Sequence, residues 1–176
     1  STGSGGSFSN AKAAWNFTSA GFRNFASATG LSSAATIAAQ DASANRALGV
    51  RQTGTLEIGG DPGAAFIFLL ENTTGRNNLK IDFNLQSLDA GSARVTTWSV
   101  DYALGDNPAS FTATTATGSL TTGGSTWSNQ VVSVNLPAAL NNQNQKVWVR
   151  IVALTPTTGG GSRASTAIDD VKFSWN

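Results

Sequence analysis

Apolar and polar residues alternate with a period of two along most of this chain. That period places successive side chains on opposite faces of extended strands. The last ten residues carry it most sharply: Val171, Phe173 and Trp175 alternate with Lys172, Ser174 and Asn176. Three large side chains on one face are best covered when their strand is flanked on both sides. This segment is therefore expected at the centre of a sheet, with Trp175 buried and Asp169 and Asp170 at the rim. Because neighbouring strand residues point to opposite faces, only one of those two acids is expected on a given face.

The same pattern predicts further strands. Leu79, Ile81, Phe83 and Leu85 form one face of residues 79–88, and Trp98, Val100 and Tyr102 one face of 95–103. Val131, Val132, Val134 and Leu136 precede Pro137, which ends their strand. In residues 147–154, Val147, Val149 and Ile151 oppose Trp148, Arg150 and Val152. Residues 46–52 and the alternation of Trp15 with Phe17 suit two more, and one or two edge strands fit between Gly105 and Asn129. Residues 64–70 differ, being a nearly unbroken apolar run expected to be covered on both faces. Turn signals such as Gly59-Gly60-Asp61-Pro62-Gly63 separate these runs. Residues 31–45 are rich in Ala, but frequent Ser, Thr and Asn leave a poor apolar stripe, so an irregular stretch is expected there.

Eight or more short strands without a βαβ rhythm predict an all-β fold, an antiparallel two-sheet β-sandwich with little or no helix. At 176 residues the chain fits one such domain over 11–176. The preceding residues 1–10, Gly- and Ser-rich, read as a flexible arm or linker.

Composition narrows the chemistry. Only 12% of residues are charged and the net charge is +1, with the eleven Lys and Arg scattered singly. Nucleic acid and anionic membranes call for a basic patch, and no segment is apolar enough to insert into a bilayer. Cys, Met and His are all absent, which removes disulfides, thiolate zinc sites and imidazole bases. The Thr/Asn/Gly-rich, weakly charged character, with sequons at Asn16 and Asn72, suits an extracellular or cell-surface protein. No initiator Met or signal peptide precedes Ser1, as expected of a processed product or an excised piece.

Four stretches carry a resemblance: residues 45–52, Gly60-Asp61-Pro62-Gly63-Ala64-Ala65-Phe66, Thr97-Trp98-Ser99-Val100-Asp101-Tyr102, and Ala167-Ile168-Asp169-Asp170-Val171. Together they resemble an accessory jelly-roll β-sandwich module of large secreted or surface proteins in Bacteroidetes-type bacteria, across residues 40–176. The closing Ile-Asp-Asp-Val is also similar to the last strand of MAM-type and carbohydrate-binding jelly rolls, where the acidic pair helps hold a structural cation. The resemblance implies a jelly-roll fold and no single activity.

Candidate sites follow from the residue types. As a hard oxygen ligand, Asp170 is a candidate for a structural Ca²⁺ shared with Asp41 or Asp61; the alternative is a carboxylate that accepts turn N–H groups or pairs with Arg46 or Arg51. Catalysis is not expected: ten acids lie mostly beside turns, and Ser or Thr nucleophiles lack their usual base. Of the five Trp, Trp98 and Trp175 run in phase with aliphatics and are expected in the core. Trp127, in a Gly/Ser/Thr setting, and Trp148, in phase with Arg150, are the candidate platforms for a sugar ring. Ser7, Phe8 and Asn10 are the candidate contacts of an arm that adds to a neighbour's sheet edge. Two functions are consistent with this pattern: a self-associating, non-catalytic structural subunit (surface filament, adhesin or matrix component), and a carbohydrate-binding module accessory to a secreted enzyme.

Overall fold

The computed structural model describes residues 21–27, 39, 42–51, 63–88, 90–161 and 163–176. Ten strands are defined: β1 (Gly21–Ala26), β2 (Arg46–Arg51), β3 (Ala65–Leu70), β4 (Lys80–Ser87), β5 (Val95–Leu104), β6 (Thr112–Ala113), β7 (Thr121–Thr122), β8 (Ser128–Asn135), β9 (Val147–Thr158) and β10 (Thr166–Ser174). One sheet has the order β1-β2-β10-β4-β8; the other runs β3-β9-β5-β6, with β7 also on β5. All pairings between named strands are antiparallel. With β1 set aside, the sheets β2-β10-β4-β8 and β3-β9-β5-β6 exchange the chain at each of the steps β2 to β5 and β8 to β10. That is jelly-roll connectivity, the double-sheet arrangement expected from the sequence.

The core lies between the two layers because each long strand turns one apolar row inward. Ile81, Phe83 and Leu85 of β4 and Val132 and Val134 of β8 face Trp98 and Val100 of β5 and Val147, Val149 and Ile151 of β9. Phe22 reaches across from β1 to meet Phe66 of β3 edge-on, ring centroids 5.2 Å apart. The indole N–H of buried Trp98 donates to Thr122 Oγ1 at 2.9 Å, and that hydroxyl bonds Thr166 Oγ1 at 2.8 Å. The polar end of the ring is thus satisfied inside the sandwich, as burial requires. A smaller cluster, Phe25, Ala47, Leu88 and Ala167, forms apart from this core. Gly49 permits it, since a Cβ there would lie 2.2 Å from the Phe25 ring.

β10 is central, between β2 and β4, but its pattern breaks midway. Asp169 pairs with Asn84 and Lys172 with Asp82, so Asp170 and Val171 together oppose the single residue Phe83. Asp170 takes φ +49°, the left-handed conformation that lets a bulge carry an extra residue. This corrects two expectations. The extra residue puts both acids on the outer face: Asp169 is in register with Asn84, and Asn84 Nδ2 donates to Asp170 Oδ2 at 2.8 Å. Trp175 lies beyond the end of the strand and is 50% exposed, its ring covered by the Arg76 guanidinium at 5.1 Å. The chain is pinned there by reciprocal 2.9 Å main-chain bonds between Asn77 and Asn176.

Candidate functional site

The outer boundary of the second sheet is β3, six residues without a charge or a proline. Its pairing with β9 is continuous from Ala65–Val152 to Leu70–Val147. Ala153 N donates to Ala64 O at 2.9 Å, which fixes the phase of the ladder. Antiparallel pairs bond at every second residue. Phe66, Phe68 and Leu70 therefore turn their N–H and C=O toward β9, while those of Ala65, Ile67 and Leu69 point away from the sheet. Among the described residues no strand pairs with that side.

The side chains follow the same alternation. Phe66 is buried and Phe68 and Leu70 half-buried against the core, whereas Ile67 and Leu69 are 42% and 40% exposed on the outer face. The expectation that residues 64–70 are covered on both faces is corrected here. Among the described residues β3 is a boundary strand, with Ile67 and Leu69 exposed on its outer face and one edge unpaired.

Next to it, the outer face of β9 presents Trp148 opposite Leu69, and Arg150 opposite Ile67. The half-buried Trp148 donates its indole N–H to Gly105 O at 2.7 Å, which fixes the ring on the sheet surface. Arg150 makes a bidentate pair with Asp101 of β5, Nε to Oδ1 at 2.8 Å and Nη2 to Oδ2 at 2.7 Å. The Phe111 ring centroid lies 3.5 Å from the guanidinium carbon. Capped this way, the two charged side chains are only 11% and 10% exposed. Fork-to-fork geometry and a stacked ring are what let an arginine sit on a sheet away from water. The outer face is thus an apolar and aromatic strip, with its one charge pair neutralised internally.

The other sequence candidates fall elsewhere. Trp127 is half-buried just before β8, and its indole nitrogen is buried without a partner among the described residues, so its polar edge points into the protein. Asp170 sits on the outer face of the other sheet, bonded to Asn84. Asp41 and Asp61 lie outside the described residues, as do Ser7, Phe8 and Asn10 of the arm. Among the described residues no group of three or more acids gathers as a cation site. Arg46 donates to Asn24, to Oδ1 at 3.0 Å and to the carbonyl at 2.8 Å.

Other acids have local partners. Asp82 bonds Lys80 Nζ at 2.7 Å and accepts from Ser133, and these bonds hold its carboxyl below the usual range, Lys80 contributing most. Asp106 pairs with Lys146 at 3.0 Å. The sequence reading missed Phe111 and the Asp101–Arg150 pair. The signal was there: Asp101 and Arg150 each interrupt an apolar strand, and charges so placed need each other.

The layers and their connectivity define the class, a two-sheet antiparallel jelly roll. Comparison with protein families, curated proteins and solved structures finds no match.

Proposed function

We propose that this chain is a non-catalytic extracellular structural subunit that associates with copies of itself, as a surface filament, adhesin or matrix component does. The observation that carries the reading is the open edge of β3, where uncharged main chain lies beside exposed Ile67 and Leu69. Soluble β proteins commonly guard such an edge with lysine, proline, a bulge or a covering loop, because it templates pairing with another chain. A net charge of +1 adds little self-repulsion between copies. The arm at residues 1–10 remains the candidate donor of an added strand. Light scattering coupled to size exclusion, with negative-stain imaging, tests the reading. Concentration-dependent oligomers are expected, and a monomer at every soluble concentration overturns it. A folded monomer on deleting residues 1–10 would assign association to the arm.

A second reading, a carbohydrate-binding module, is favoured by Trp148 with Leu69 beside it on an open sheet face. A flat indole matches the C–H face of a pyranose. Trp148→Ala should then weaken retention on an insoluble polysaccharide by about 1–3 kcal/mol, by analogy with bases stacked on aromatics. Equal retention of the variant removes the platform. A structural Ca²⁺ at Asp170 is tested by chelation: a bound ion raises the melting temperature, and an unchanged melt dismisses a stabilising one.

A further inference from the structure

Resting on the self-association reading, we infer that the occupant of the β3 edge is β3 of a second copy, paired antiparallel across a two-fold axis at Ile67. The ladder phase makes Ala65, Ile67 and Leu69 the outward-bonding residues. A two-fold at Ile67 pairs all three within β3: Ile67 with the second copy's Ile67, and Ala65 with the second copy's Leu69 in both directions. Each such pair exchanges two bonds, so the ladder closes with six main-chain hydrogen bonds.

The side chains fit that register. Ile67 meets its own copy on the outer face, covering a residue left 42% exposed in one chain, and the small Ala65 lies opposite the large Leu69. On the inner face Phe66 falls opposite the half-buried Phe68 of the second copy. No charge on β3 opposes a like charge, and Glu71, just past the strand, falls opposite Gly63. Sliding the register by two residues brings either Glu71 or Gly63 into the ladder and leaves Ile67 off the axis. The fit is self-complementary, as a two-fold interface requires.

The absence of cysteine makes a clean test. In the full chain, Ile67→Cys puts two thiols opposite each other at about 5.5 Å between Cα atoms, within disulfide reach. Mild oxidation should convert it to a covalent dimer, while Val131→Cys on β8 stays monomeric on a denaturing gel. Ile67→Lys should weaken association about 100-fold or more, since it sets two ammonium groups face to face. Dimer formation by Ile67→Cys supports the pairing, and more so if it persists after residues 1–10 are deleted. If that variant does not fold, the same oxidation of mixed Ala65→Cys and Leu69→Cys chains reads the register. Oligomers without the Ile67 or Ala65–Leu69 crosslink overturn the pairing but leave the self-association reading. Oligomers that survive Ile67→Lys and vanish on deleting residues 1–10 overturn it in favour of the arm. A wild-type chain that is always monomeric overturns both.

Discussion

At the boundary of one sheet, β8 is guarded. Thr117 exchanges both main-chain bonds with Ser133, at 2.8 and 2.9 Å, and Gly118 passes so close that a Cβ there would lie 2.2 Å from Val131 O. On the outer face, Ser133 also donates to Asp82, which Lys80 holds in turn. At the boundary of the other sheet, β3 has no such cover among the described residues, yet it is the more apolar of the two. Val131 on the guarded strand is more exposed, at 71%, than either Ile67 or Leu69. Exposure of one side chain is therefore not what separates the edges. The difference is that the main chain of β8 has been given a partner from its own chain, and that of β3 has none among the described residues.

The comparison can be broken from either side. The largest expected effect is Arg150→Ala, which strips the counter-charge from the nearly buried carboxylate of Asp101 on the outer face of β5; breaking such a pair costs about 3–5 kcal/mol. Chemical denaturation measures it, and the double variant Arg150→Met/Asp101→Leu should recover most of the loss. Gly118→Ala comes next, at about 3 kcal/mol, because φ is +101° and the new methyl meets backbone rather than a movable side chain. Gly75→Ala, at φ +72° with nothing within 4 Å, should cost only about 1 kcal/mol. Equal losses would show that the guard on β8 is not as tight as its geometry implies.

Ile67→Lys should move the stability of the monomer by no more than about 0.5 kcal/mol, as surface changes do, while weakening association about 100-fold or more. Val131→Lys should change neither. The smallest effect is the pH response of Asp82. Its folded carboxyl is held below the unfolded value of about 3.9. Its contribution is therefore complete above that value and is lost as the pH falls through the lowered one. Asp82→Asn should flatten that part of an acid titration, and high salt should shrink the difference because the pair is partly exposed.

Much of the fold was legible. The alternations at Leu79, Ile81, Phe83 and Leu85, at Trp98, Val100 and Tyr102, and at Val147, Val149 and Ile151 all mark core rows. Pro137 does end β8, leading into a 3-10 turn at Ala138–Leu140. Two inferences failed for local reasons: the bulge at Asp170 adds a residue that no alternation encodes, so Asp169 and Asp170 share a face, and Trp175, in phase with the core-packed Val171 and Phe173, lies past the end of β10 and escapes the core. The candidate surface was legible only in part. Trp148 opposite Val149 was visible as a face, but Leu69 beside Trp148 and Phe111 over Arg150 come from strands and loops far along the chain. An apolar run such as Ala64 to Leu70 reads the same whether a second layer covers it or nothing does.

The residue pattern alone was enough to show that the chain forms strands, which residues of 79–85, 98–102 and 147–151 face the core, and which reactive groups it lacks. These follow from side-chain period and composition, which are local properties. Tertiary structure alone decided which strands stand at the boundaries, which boundary is guarded, and that Arg150, Asp101 and Phe111 meet. Those depend on sheet order and register, set by the summed fit of pairs distant in sequence.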